Sequence, residues 1–468
     1  MSVFASADVE DLSAAGLIGP LSSNGTRRVH KRRLNSSSDE ENSHLPLTPI
    51  SSTSASSVTE MYATIPELLD SLATLKYLGY TDTAANQIWD RWSNWPSTPP
   101  GRFGVDPDGE IEFTDVAVGH LRGFRDQDTW DENDRSWFDF MDLCGINLEV
   151  QTAIMDPIYK RIRLTESCYF WIKDTIELRY RGLEAIQRAS RERTMATTRV
   201  TSRTGYSSPD RHDRSSIGGP SGSAQITPSQ ESGQRSISGT MRMAPGISSD
   251  SAFSNACRSA QNIPGSIILY RGLDQARLNA FFDDSGAIVG WQDMLSSPPT
   301  DFLRSQAGFY FTVHRDIAET YACYAKRRDP VQSVVIVQVI VPNHKIECLS
   351  STQLQKTYWP SEEWKKLVWH CRNQKKFPSQ LQKYKQALLI IGTIATKPNK
   401  VYKNMDTFAQ IDETCVLKTK DGRNGVQYVF NGDEGQEFLE DLAPGSVTVH
   451  PVSGMEFTQW QREHDFDN

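Results

Sequence analysis

From about residue 194 to residue 262 the sequence keeps no hydrophobic period. Ser, Gly, Thr, Arg and Gln dominate there, and Tyr206 and Phe253 are the only aromatic residues. A stretch that long without a period reads as a flexible polar linker rather than an ordered loop, and it separates the amino-terminal part of the chain from the carboxy-terminal part. Residues 1–60, rich in Ser and Thr, read as a disordered tail, because they offer too little apolar surface to offset the entropy of ordering. Of the 468 residues, 38% belong to the AVILMFWYC set, in keeping with a chain that folds only in part. Eleven Trp, 15 Tyr and 19 Phe require the remainder to fold, since disordered chains are poor in aromatics.

Charge and pattern exclude several classes. A net charge of -8 argues against a protein that binds nucleic acid or an anionic membrane with its whole surface. The longest apolar runs, Val334 to Val341 and Ala387 to Ile391, fall well short of the roughly 18 residues a membrane helix needs. The opening MSVFASADVEDL lacks the basic region and apolar core of a secretory signal. Seven scattered cysteines, never in CxxC, form neither a disulfide framework nor a zinc site, and read as reduced thiols of an intracellular protein, cytoplasmic or nuclear. One basic cluster, RRVHKRR (Arg27 to Arg33), reads as a nuclear-import signal, a patch for an acidic partner or a solvated charge run. The serines of SSSDEEN and the Leu-Thr-Pro at Leu47 to Pro49 have the character of phosphorylation sites.

Residues 61–193 read as an all-α domain. Thr64 is expected to cap a first helix through Leu68, Leu72, Leu75 and Leu78, with Pro66 in its first turn and Gly79 as its stop. Thr81 or Asp82 caps a second helix through Ile88, Trp89 and Trp92. Pro-Pro-Gly and Asp-Pro-Asp-Gly turns then lead to helical pattern at Val116 to Leu121 and Trp137 to Leu143. A long helix runs from about Thr165 to Arg191. No titratable cluster accompanies these Trp residues, so the domain reads as one that binds a protein partner of unknown identity or regulates.

Residues 263–450 change texture to α+β. Strands are expected at Ser266 to Tyr270, Gly308 to Thr312, Val331 to Val341, Ala387 to Ala395, Val426 to Phe430 and Val447 to His450. Helices are expected at Ala276 to Phe282, Asp316 to Arg327, Glu362 to Arg372 and Asp433 to Leu442. Unevenly interspersed helices and the absence of GxGxxG and of a P-loop point to a mixed or antiparallel sheet. The fold class is therefore multidomain: an N-terminal all-α domain, a C-terminal α+β domain, long disordered segments, and a tail over 451–468.

Three pieces of the C-terminal part, in order, carry a resemblance. They are Leu269-Tyr-Arg-Gly272, then Gly308-Phe-Tyr-Phe-Thr312 with Ala318-Glu-Thr-Tyr321, then Val426-Gln-Tyr-Val-Phe430. Together they resemble the ADP-ribosyltransferase superfold over about 263–445. Glu362-Glu-Trp-Lys-Lys-Leu-Val-Trp and Ile390-Ile-Gly-Thr-Ile-Ala395 are similar to a poorly characterised branch of it. The resemblance implies cleavage of the nicotinamide–ribose bond of NAD, used as substrate without a metal. Arg271 would contact the phosphates or ribose, the Gly272 backbone would hold the nicotinamide amide, and Tyr310 and Tyr321 would stack around the ring. Gln427 would stand where the catalytic carboxylate belongs.

That substitution matters because positive charge develops on the ribose as nicotinamide leaves. An anion about 4 Å from that charge contributes on the order of 4 kcal/mol at an effective dielectric near 20, and a neutral amide forgoes it. Mono-ADP-ribosyl transfer or slow hydrolysis survives, while efficient polymer synthesis does not. Glu434 and Glu437 restore the charge only if their helix turns toward the cleft. The alternative is a catalytically inactive interaction or regulatory protein on the same fold. Each residue also has an ordinary role open to it: Arg271 paired with Asp274, Tyr310 and Tyr321 as packing residues, Gln427 as an exposed polar residue. His314 and His370 have no partners at metal-ligand spacing.

Overall fold

The computed structural model describes residues 1–34, 61–94, 111–204, 263–278, 281 and 288–465. The expectations for the SSSDEEN tract, Leu47 to Pro49, the 95–110 loop and residues 205–262 lie outside them, whereas residues 194–204, expected as the start of the linker, continue the helix Cys168–Thr204. Helices are labelled α1 (Ser6–Ala14), α2 (Leu72–Leu78), α3 (Asp82–Ser93), α4 (Phe113–Arg122), α5 (Asp134–Leu143), α6 (Leu148–Ile154) and α7 (Cys168–Thr204). In the second half they are α8 (Arg315–Arg328), α9 (Glu362–Arg372), α10 (Gly432–Glu440) and α11 (Gly454–Asp465). Strands β1 (Thr26–His30) and β2 (Tyr62–Pro66) form a ladder of their own. The main sheet holds β3 (Ser266–Asp274), β4 (Leu295–Ser296), β5 (Gly308–Thr312), β6 (Val334–Pro342), β7 (Leu354–Thr357), β8 (Leu389–Thr393), β9 (Val426–Asn431) and β10 (Val447–Val452).

The amino-terminal 34 residues depart from the expected tail. Helix α1 and the β1–β2 ladder close a small core in which Val3, Phe4, Leu12, Ile18, Val29 and Ile65 pack on Leu183 and Ile186 of α7. The basic cluster is part of that ladder rather than a free patch. Arg27 pairs with Glu67 at 2.5 Å, Arg28 lies over the ring of Tyr62, and Val29 and His30 are buried. Thr64 and Pro66, read as a helix start, sit in β2; Ser71 caps α2 instead by accepting from Thr74 N at 3.1 Å. Gly79 ends α2 in the left-handed region at φ 114°, and Thr81 caps α3, both as the residue types dictate.

The sheet is mixed, in the order β10-β6-β3-β5-β9-β8-β7 with β4 on β5; among the described residues only the β7–β8 pair is parallel. Of the stretch Ala276 to Phe282, expected as helix, Ala276 to Leu278 lie in a 3-10 turn, Gln275–Leu278, and residues 279, 280 and 282 are outside the described residues; β7 was not expected. The alternation of side chains on the strands defines two faces. One carries Leu269, Leu273, Phe309, Phe311, Val335, Val337 and Phe430 under Phe281, Trp291 and Met294. The other is covered by α8 across β3 and β6 (Ile268, Tyr270 and Ile336 against Ala318 and Ala322) and by α9 across β8 and β9 (Ile390 and Val429 against Trp364 and Leu367).

Helix α8 also faces outward into the helical layer. Ile317, Cys323 and Tyr324 share one apolar core with Leu75, Trp137, Ile154, Trp171 and Ile176, so α8 packs on the helical layer as well as on the sheet. Polar contacts fix the same seam: the Tyr324 hydroxyl donates to the Ile154 carbonyl at 3.0 Å, Arg328 pairs with Asp174 at 2.6 Å, and Arg327 with Asp156 at 2.7 Å. The expected carboxy-terminal tail is largely α11, whose Trp460 stacks on Tyr159 at 5.5 Å. Among the described residues no helix is long and apolar enough to cross a membrane, and no cluster of His, Cys, Asp and Glu is placed to hold a metal.

Candidate functional site

Of the resembling pieces, Leu269 to Gly272, Gly308 to Thr312 and Val426 to Phe430 fall on three neighbouring strands, β3, β5 and β9, and Ala318 to Tyr321 on α8. Their register decides which side chains meet. Tyr270 stands opposite Thr312, and Thr312 opposite Gln427, so these three share a face; Arg271, one residue on from Tyr270, points to the other. Tyr310 lies on the Gln427 face, two residues before Thr312, as the alternation with Phe309 and Phe311 predicts. The proposed constellation is therefore divided by the sheet.

Arg271 does not pair with Asp274, whose carboxylate is taken by Arg277 at 2.9 Å and Arg181 at 3.5 Å. Its guanidinium donates instead to the Met294 carbonyl and, at 3.3 Å, to Ser296 Oγ. Burial, with Arg277 nearby, pushes its pKa down to about 10. Gly272 serves helix packing, because a Cβ there would stand 1.9 Å from the Ala318 carbonyl oxygen of α8. Tyr310 is part of the apolar cluster under α9, and its hydroxyl bonds Thr300 Oγ1.

On the Gln427 face the centre of the site is Asp301, which the sequence did not single out. Its Oδ1 accepts from Arg372 Nε at 2.9 Å and lies 2.6 Å from Arg372 Nη2. Its Oδ2 accepts from the Ala395 N–H at 2.8 Å and from Gln427 Nε2 at 2.7 Å. Three hydrogen bonds and the ion-pair contact with Nη2 thus occupy both carboxylate oxygens, which have about four lone-pair positions. Arg372, at the last turn of α9, also donates to Asn399 Oδ1 at 3.2 Å and reaches Glu166 Oε1 at 3.4 Å. Asp301 and Arg372 are nearly closed to water, with side-chain exposures of 5% and 10%. The flanking carboxylates hold the guanidinium charged well above its usual range.

Tyr321, on α8, looks into the same polar cluster from the helical layer. Burial, tempered by a hydrogen bond with Thr165, pushes its phenol up to about 12. Glu166, in the turn ahead of α7, is pushed up to about 7 by burial despite Arg372, although water still reaches 23% of its side chain. Tyr321 and Gln427 thus approach one buried knot of charges, while Tyr310 packs under α9 and Arg271 lies across the sheet. Glu434 and Glu437 are exposed on α10, which packs by Phe438 and Leu439 on the Arg271 face, so neither reaches Gln427. His314 and His370 stand apart, the latter against Trp369 and Phe377.

Asp301 left no mark in the sequence, because its partners lie 71 and 126 residues away. Arg372 did leave one: it falls four residues after Val368 on the apolar stripe of α9, where a charge requires a buried partner. Comparison of the chain with protein-family models, with curated proteins and with solved structures gave no match.

Proposed function

We propose that this chain is a non-catalytic interaction protein built on an ADP-ribosyltransferase-like sheet, and that the residues aligned with that family's NAD site now hold the molecule together. Supporting the fold part of this reading, the three resembling segments lie on adjacent strands in the central part of one mixed sheet. The observation that carries the functional part is the occupation of both Asp301 oxygens, with Gln427 supplying one of three hydrogen bonds beside the ion pair with Arg372 Nη2.

Cleavage of the nicotinamide–ribose bond needs an acceptor aimed at the ribose and negative charge beside the developing cation. Gln427 spends its amide on Asp301. The carboxylate of Asp301 is neutralised by Arg372. Arg271, the group assigned to the dinucleotide, faces the opposite side of the sheet. No single dinucleotide touches all three. Such a reading assigns the helical layer and the sheet to one scaffold, whose surfaces rather than its interior meet partners.

Incubation of the full chain with NAD, monitoring nicotinamide release and thermal stability, tests this. The expected result is release at the uncatalysed background and an unchanged melting temperature. A ligand held at 100 times its Kd would add about 2.7 kcal/mol, so binding would be visible. Release that depends on Gln427 would overturn the reading in favour of a mono-ADP-ribosyltransferase.

A further inference from the structure

The residues that follow Asp301 also line a small cavity. The cavity has a volume of about 120 Å³ and is bounded by Arg304, Lys376 and Lys385, with Phe302 and Phe377 among its apolar walls and Gln382 at its edge. None of its nine lining residues is acidic. Among the described residues, no carboxylate lies within ion-pair distance of Arg304, Lys376 or Lys385. In a chain of net charge -8, three unneutralised cations around one hollow run against the general balance.

From this we infer that the cavity is a binding site for a phosphate monoester. The charge fits: a monoester carries close to two negative charges at neutral pH and relieves the mutual repulsion of the three cations. The donors fit as well, since a guanidinium offers a planar fork to phosphate oxygens and two ammonium groups complete the neutralisation as point charges. Size limits the rest of the ligand, because drug-sized ligands occupy about 300–1,000 Å³. A phosphate with a short organic group fits this cavity, and a dinucleotide does not.

The three cations sit on anchored backbone, which reduces the ordering cost of binding. Arg304 lies two residues after Phe302, fully buried, and the turn is tied down through Asp301. Lys376 precedes Phe377, which is buried against α9. Lys385 ends the short helix Gln382–Lys385, and its carbonyl accepts from Asn431 Nδ2 at 3.2 Å. Arg304, Lys376 and Lys385 take no part in the interior ion pairs, so the site is independent of the reading given for Gln427.

The test is calorimetric titration of the full chain at constant ionic strength with inorganic phosphate, glucose 6-phosphate and a short peptide containing phosphoserine, with chloride and the unphosphorylated peptide as controls. The parent is expected to bind the phosphorylated probes and neither control. Tighter binding of the sugar phosphate identifies a free metabolite as the source, and tighter binding of the peptide a modified protein. Lys376→Gln and Lys385→Gln change exposed side chains and are expected to leave the melting temperature unchanged while weakening phosphate binding by about tenfold each. Absence of phosphate binding by the parent, or undiminished binding by both variants, would overturn the inference.

Discussion

Replacing Gln427 by glutamate sets a second carboxylate 2.7 Å from Asp301 Oδ2, in a site closed to water. Two carboxylates that close do not both ionise, so the introduced group takes up a proton in the folded state and its pKa rises above the ordinary 4.3. The unfolded chain releases that proton at lower pH, so the penalty is small near pH 4 and grows as pH rises toward 7. We expect Gln427→Glu to lose about 2–4 kcal/mol at pH 7 by urea denaturation and to approach the parent near pH 4; equal stability at pH 7 would contradict the geometry. Asp301→Asn removes the nearer charge partner of Arg372, leaving it Glu166 at 3.4 Å, and is expected to cost about 3–5 kcal/mol in the same measurement. Glu166 gives a further pH signature. Its carboxyl, raised to about 7, keeps a proton that the unfolded chain has lost above about 4.5. Its contribution to stability therefore falls as pH climbs from about 4.5 to 7. Partial exposure holds the effect to about 1–2 kcal/mol, and Glu166→Gln should remove that slope from the stability–pH profile.

At the scale of elements, the tightest joint is between β3 and α8. Gly272→Ala drives a methyl into the Ala318 carbonyl, and the helix must lift from the strand. We expect a loss of about 1–3 kcal/mol in urea denaturation, and an unchanged midpoint would show that the joint is loose. Elements whose period and punctuation agree were legible in the sequence: Glu362 to Arg372, capped by Ser361, and Gly308 to Thr312 are found at the expected bounds. The β1–β2 ladder was not. Its first strand reads Thr-Arg-Arg-Val-His, where one apolar residue among charges gives no alternation, and its partner lies beyond a polar stretch of sequence. The Thr64 and Pro66 pair carried a helix-start signal that strand pairing overrode. At the site, the expected strand stopped at Tyr270, whereas β3 continues to Asp274 and carries Arg271 on the face of Leu269 and Leu273. Relating that face to Gln427 required the β3–β5–β9 register, which the sequence does not contain.

For the whole molecule, the polar stretch before residue 263 suggested two independent parts, yet α8 lends Ile317, Cys323 and Tyr324 to the core of the helical layer. A composition shift marks where a chain is poor in apolar residues; it does not reveal whether the flanking parts pack on one another. Heating the full chain should accordingly give one calorimetric transition with matching calorimetric and van't Hoff enthalpies, whereas two separated transitions would restore the two-domain picture. On the proposed reading, Gln427 serves Asp301 in a structural ion-pair knot where the resemblance implies a catalytic carboxylate. The most direct measurement is nicotinamide release from NAD by the parent and by Gln427→Glu, each at a pH where its fold is intact. The account predicts background release from both and reduced stability of the variant. Turnover by the parent that rises in the variant would contradict it.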